Sequence, residues 1–468
     1  TVAGVTTTAD TVTMQASNAI IFEGATADAN ETTLSIVDPT SDHTQYLINQ
    51  GGYIPVLAAA TTTAISSTPA ELNLLDGSTA NTVVNSKAVV YGSSGELAGT
   101  LSTAAQTNVT SLGTLSALTV SGNLSVDGGT IKLDGNYPTG TSNVALGDTA
   151  FDSVTTASNN TMIGSAAGTA ITESNFNTAI GSTALDAQVT GGRNTAIGYS
   201  ALGSDTTGAR SVAVGHGALG DQNFTGGEIS YNTGVGYQAL TQNTTGTYNT
   251  AQGYQALYAN TTGARNTAIG YAAMTANTTG NYNTSLGYGA LDANTTADYN
   301  IAIGYAALGV NTTGTNNTAM GSFALDASTT GDANTAIGKS ALTANTTASN
   351  NTAVGASALL ANTTGTQNVA VGSAALDANT TASNNVGIGH QALTDNTTGG
   401  GNIAIGVTAL ANNTTASDNI AIGAETLLAN TTGTNNIAIG SNALDANTTT
   451  NRNIAIGSAA LGANTGGA

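Results

Sequence analysis

The stretch NTAIGYAAMTANTTGNY, residues 266–282, is followed directly by NTSLGYGALDANTTADY, residues 283–299. Aligning the chain on the glycine of each AIG-like triplet gives nineteen marks from Gly147 to Gly457. They fall seventeen residues apart except from Gly215 to Gly236, where DQNFTGGEIS makes room for four more. A fixed short period signals identical units stacked along an axis, none of which can bury its apolar face alone.

The columns of this alignment carry the fold. Three residues before the glycine stands Thr, Val or Ile in every copy, from Val144 to Ile454, and β-branched side chains favour extended backbone. The residue before the glycine is apolar in all but Gln252, and the one before that is Ala, Gly or Ser except at Met162. Large and small alternate with period two, so Ile269 and Ile303 face one side of a strand while Ala268 faces the other. Three residues after the glycine is Ala except at Thr426, and four after is Leu except at Phe151, Gly168 and Met274. Leu291 and Leu308 thus belong to a second apolar column, read as a short second strand. The intervening ANTTG is turn chemistry. Four residues before the glycine stands Asn, with Ser211 the one substitute. In stacked coils Asn266, Asn283, Asn300 and Asn317 are expected to form an amide ladder of about 4.8 Å per rung, each donating to the coil above and accepting from the one below.

The predicted fold is therefore all-β: a parallel β-roll or β-helix solenoid of 17-residue coils, nineteen of them over 143–468, making a rod about 90 Å long. A helical solenoid fails on length, since only six residues separate Gly270 from Asn277, too few for a stable helix. A leucine-rich repeat fails on its LxxLxL spacing.

Composition limits function. Only 7% of the 468 residues are charged and 4% aromatic, with 59 Gly, too little apolar volume for a wide core. Seven basic against 27 acidic residues give a net charge of −20, which repels nucleic-acid phosphates and anionic membranes, so neither nucleic acid nor membrane is an expected partner. No apolar run approaches a membrane span. The lack of Cys removes thiolate nucleophiles and zinc-thiolate sites. GHGALG, residues 215–220, matches a dinucleotide fingerprint, but no helix follows it and the repeat accounts for every letter. Of the histidines His43, His216 and His390, the last two share the column after the motif glycine, and no triad or carboxylate pair surrounds them. No enzyme activity, cofactor or metal is expected.

Tyrosine is the candidate contact residue. Tyr237, Tyr254, Tyr271, Tyr288 and Tyr305 occupy the column after the glycine on five successive coils, with Tyr231, Tyr248, Tyr282 and Tyr299 in the column five before it. Two such columns make either a platform for sugar rings or a partner surface, or a ladder that stabilises the rod. Arg193 and Arg210 stack as a like-charged pair. NTT at Asn260, Asn277 and Asn294 matches the N-glycosylation triplet, though turn formation explains it equally. The insertion Asp221 to Tyr231 is a second candidate contact.

SVAVGHGAL, residues 211–219, and the NTAIG and NIAIG copies resemble the SVAIG repeats in head domains of trimeric autotransporter adhesins, the YadA-like group. The resemblance covers about residues 143–468 and implies a homotrimeric β-roll that binds host surfaces. The period is longer than that family's, and the likeness does not extend to a heptad stalk or membrane-anchor barrel, so anchoring by that route is not implied. NAIIFEGATADANETTLSIVDPTSDHT, ISSTPAELNLLDG and LTVSGNLSVDGG, all before residue 143, are similar to segments of tail fibres and other virion proteins of tailed phages, marine cyanophages among them. There Thr68, Pro69, Glu71 and Gly77 read as the cap, first turn, capping box and stop of a short helix, with KAVVYGSSGEL and LTVSGNLSV as strands. Residues 1–64 are expected as a β-rich module and 65–142 as a connector.

The expectation is a homotrimeric fibre of a phage tail or virion appendage, at the virion or cell surface, supporting attachment to a host glycan or protein. The alternative is a bacterial trimeric surface adhesin or extracellular filament subunit. An open stack end is an unpaired sheet edge, so other virion or filament subunits are expected at the ends.

Overall fold

The computed structural model describes residues 140–466 and two short strands before them. The chain divides into units Thr1–Asn123 and Leu124–Ala468. In the first, β1 (Ile20–Phe22) and β2 (Thr32–Leu34) pair antiparallel, Ile20 opposite Leu34. The helix expected at Thr68–Gly77, the KAVVYGSSGEL and LTVSGNLSV strands, and most of the segments 1–64 and 65–142 lie outside the described residues.

In the second unit every repeat forms one three-residue strand, nineteen in all, from β3 (Val144–Leu146) to β21 (Ile454–Ile456), and the described residues contain no helix. Each strand pairs in parallel with the next in sequence. β10 (Thr267–Ile269) meets β11 (Thr284–Leu286) with Thr267 opposite Thr284, Ala268 opposite Ser285 and Ile269 opposite Leu286. This unit is thus a parallel β-solenoid in which like residues lie over like. The insertion does not disturb this order: β7 (Val212–Val214) pairs with β8 (Thr233–Val235) residue for residue, with a further parallel bridge from Ala209 to Ile229.

The interior is thin, as the composition requires. Ala268, Ala302, Leu291 and Leu308 are fully buried, whereas Ile269 and Ile303 point outward and are half-buried. Alanine and leucine fill the core, and the isoleucine column covers the outer face of the sheet.

The second strand expected around the leucine is absent. That segment is a run of stacked turns, because Ala272 and Met274 take left-handed backbone at φ 51° and 56°, and L-residues in that region cannot continue a strand. Coil-to-coil hydrogen bonding persists through the turns, as from Met274 N to Ala290 O at 3.0 Å and Thr278 N to Thr295 O at 2.8 Å. Gly270, at φ 136°, closes the strand, and a Cβ there would lie 2.4 Å from the Gly287 carbonyl oxygen one coil on. Both the backbone angle and the stacking distance therefore require glycine at this corner.

The asparagine column is buried and bonded; the expected amide-to-amide contact is present at part of its rungs, as from Asn283 Nδ2 to Asn266 Oδ1 at 3.2 Å, and backbone groups are the more regular partners. Asn266 Oδ1 accepts the backbone N–H of Asn283 at 2.9 Å, and its Nδ2 donates to the Gly280 carbonyl at 2.7 Å. Asn283 and Asn300 repeat this toward the coils after them, and Asn317 bonds the Gly331 carbonyl and the Asn334 N–H. Both ends of the amide thus reach the following coil's backbone, where the bend leaves polar groups that burial obliges something to satisfy.

A second buried column, seven residues after the motif glycine, forms a more continuous amide-to-amide ladder from Asn243 onward. Asn277 Nδ2 donates to Asn260 Oδ1 at 2.8 Å, and Asn294 Nδ2 to Asn277 Oδ1 at 2.7 Å. These are the asparagines of the NTT triplets. Asn260, Asn277 and Asn294 are fully buried, so in the folded coil they are interior ladder residues and not glycan acceptors.

Candidate interaction surface

Burial alternates across the strand. In the coil of Gly287, Tyr282 is exposed, Asn283 buried, Thr284 half-buried, Ser285 buried, Leu286 exposed and Tyr288 exposed. Both tyrosine columns therefore flank the outward Thr and Ile columns, and all four belong to the outer face of the sheet.

Tyr237, Tyr254, Tyr271, Tyr288 and Tyr305 stack in sequence, with centroids 4.9–5.3 Å apart and planes within 5–11° of parallel. His216 and Tyr199, which the expected column omitted, extend the stack at 5.2 Å each, and Phe323 ends it edge-on at 70°. Across the face Tyr231 stacks on Tyr248 at 5.1 Å and Tyr282 on Tyr299 at 4.9 Å. Arg265 lies between the two pairs, its guanidinium 5.3 Å from the ring centres of both Tyr248 and Tyr282 and bonded to the Tyr282 hydroxyl at 2.9 Å.

Arg193 and Arg210 share a column on successive coils, and each guanidinium lies over an aromatic ring. Arg193 sits over Phe176 and Arg210 over Tyr231, whose hydroxyl it also contacts. Turning to opposite neighbours gives each guanidinium a ring face in place of a like charge.

Stacking decides what these columns offer. Ring faces in the middle of each stack are covered by the rings above and below. Edges and hydroxyl groups remain, one per rung, so a ligand cannot lie flat on the interior rings as on a platform. The insertion, the other candidate contact, packs Phe224 into the rod and leaves Thr225 to Ile229 exposed. Beneath it the interior column is polar: Gln222 Nε2 donates to Asp205 Oδ2 at 2.6 Å and to Ser211 Oγ at 2.9 Å, and Ser211 bonds Ser230. Among the described residues no three His, Asp or Glu side chains gather as metal ligands.

No protein-family model, curated protein or solved structure matches the chain. The outer face itself is what bears on function. It changes along the rod: from β13 (Thr318–Met320) to β21 the rims turn small or polar at nearly every coil, as at Ser322, Ser373 and Ala424, and from β16 (Val369–Val371) onward the central columns are aliphatic at both positions, as in Ile403 with Ile405 and Ile437 with Ile439.

Proposed function

We propose that the chain is a structural fibre protein in which parallel copies, three by the adhesin resemblance, join along the aliphatic face of the later coils. Its setting is a phage tail or related virion appendage that carries a host-contacting surface away from its base. The observation that carries this reading is the unbroken one-to-one register of nineteen parallel strands, a continuous ladder suited to a stiff rod. The aliphatic stripe from β16 to β21 supports association. An exposed apolar stripe of this kind marks an interaction site, and side chains such as Ile388 and Ile439 keep over a third of their surface exposed.

Mass in solution together with electron micrographs tests the proposal. The expected result is a particle of three times the 45.6 kDa chain mass appearing as discrete rods. A monomer, or a particle without elongated shape, refutes it. Endless threads favour the extracellular filament or adhesin reading instead.

A further inference from the structure

Seven consecutive coils, from β6 (Thr195–Ile197) to β12 (Ile301–Ile303), carry a large side chain on both rims of the outer face. Outside them the rims are small or polar at nearly every coil. The two rims of one coil are six residues apart, so they rise together without touching. Tyr and Arg reach farther from the backbone than the Thr, Val and Ile between them, which makes a shallow trough along the rod. It is about 29 Å long and at most about 20 Å between rim backbones.

Its charge is opposite to the molecule's. No acid occurs at any of its 28 rim and floor positions in a chain with 27 acids, yet three of the four arginines stand on one rim. Ten of the chain's fifteen tyrosines line the two rims. With interior ring faces covered by stacking, the trough presents a phenol hydroxyl or a guanidinium at every rung, guanidinium groups standing on three of the seven. That repeat disfavours a globular protein surface, which has no such period, and the covered faces disfavour nucleic acid, whose bases need open rings.

We infer that this trough binds a linear anionic polysaccharide lying along the rod axis. Its carboxylates pair with Arg193, Arg210 and Arg265, its hydroxyls with the tyrosine row, and its C–H faces rest on the Thr and Ile floor. The inference rests on the fibre reading and gives the host contact in that reading a ligand class. The tall rims also keep a flat neighbouring copy off the floor, which leaves this segment open while the later coils associate.

The test is calorimetric titration of the full chain with oligogalacturonate long enough to span the trough. Binding that weakens with salt is expected. The double substitution Arg210→Ala with Arg265→Ala should reduce affinity about tenfold or more. Lys339→Ala with Arg452→Ala, which removes the same charge from these rims beyond the trough, should leave it unchanged. Tyr254→Phe with Tyr288→Phe keeps the stacked rings, removes two hydroxyls and should weaken binding severalfold. The inference is overturned if the wild type does not bind, if neutral cello-oligosaccharide or polyglutamate binds as well, or if both charge-removing pairs weaken binding equally. It is also overturned if the Arg210→Ala, Arg265→Ala protein loses particle mass, since the trough would then be an interface between copies. Rods without sugar binding sink this inference alone, whereas absence of rods sinks the fibre reading.

Discussion

A single side chain decides whether a rung is complete. In the inner asparagine ladder Ser328 takes the place of Asn, too short to reach either neighbour, and both its hydroxyl and Asn311 Oδ1 are buried without a partner. Ser328→Asn should restore both rungs and stabilise the rod by about 1–3 kcal/mol, seen as a higher denaturation midpoint with slower amide exchange at Asn311 and Asn345. An unchanged or lower midpoint counts against the ladder's role. The column holding Asn266 was legible as a buried amide column because Asn there has no turn to make. The column holding Asn277 was not. NTT is ordinary turn sequence, its two threonines do face outward, and spacing alone does not tell which way a corner folds its first residue.

Within one coil the strand was legible and the turns were not. β-Branched residues at the position of Thr267 and the small Ala268 announce extended backbone, but the regular leucine hides a left-handed φ of 50–57°, which no apolar period reveals. Such angles cost an L-residue about 1–2 kcal/mol, so a coil is held by its neighbours rather than by its own preference. Two substitutions at the corner should act in opposite directions. Gly270→Ala places a methyl against the Gly287 carbonyl and should destabilise by roughly 3 kcal/mol. Thr408→Gly relieves a β-branched residue at φ 50° and should stabilise by about 1 kcal/mol; Gly217 and Gly289 already occupy that position in other coils, at φ 63° and 59°. Melting curves of the two variants check the pair, and a stabilised Gly270→Ala protein would contradict the stacking geometry.

For the molecule as a whole, acidity should strengthen the rod. Burial holds the Asp205 carboxyl above its ordinary range, only partly offset by hydrogen bonds from Gln222 and the backbone of Gly208 and Phe224. Asp186 and Asp326 are raised by burial as well. A group whose folded value is raised contributes stability that is fully present below the unfolded value and is lost as pH rises through the folded one. The melting temperature should therefore rise on going from neutral to mildly acidic pH, and Asp205→Asn should raise the neutral value and flatten that rise. A rod that weakens under the same mild acidification would be inconsistent with this burial. Sequence showed Asp205 only as one more letter in a loop, since its column becomes interior only when coils stack. The insertion beside it has a practical use. Four added residues at that bend leave Val212 facing Thr233, so the corner is a natural splice point, where a short tag would ride on the outside of the shaft like a flag on a mast.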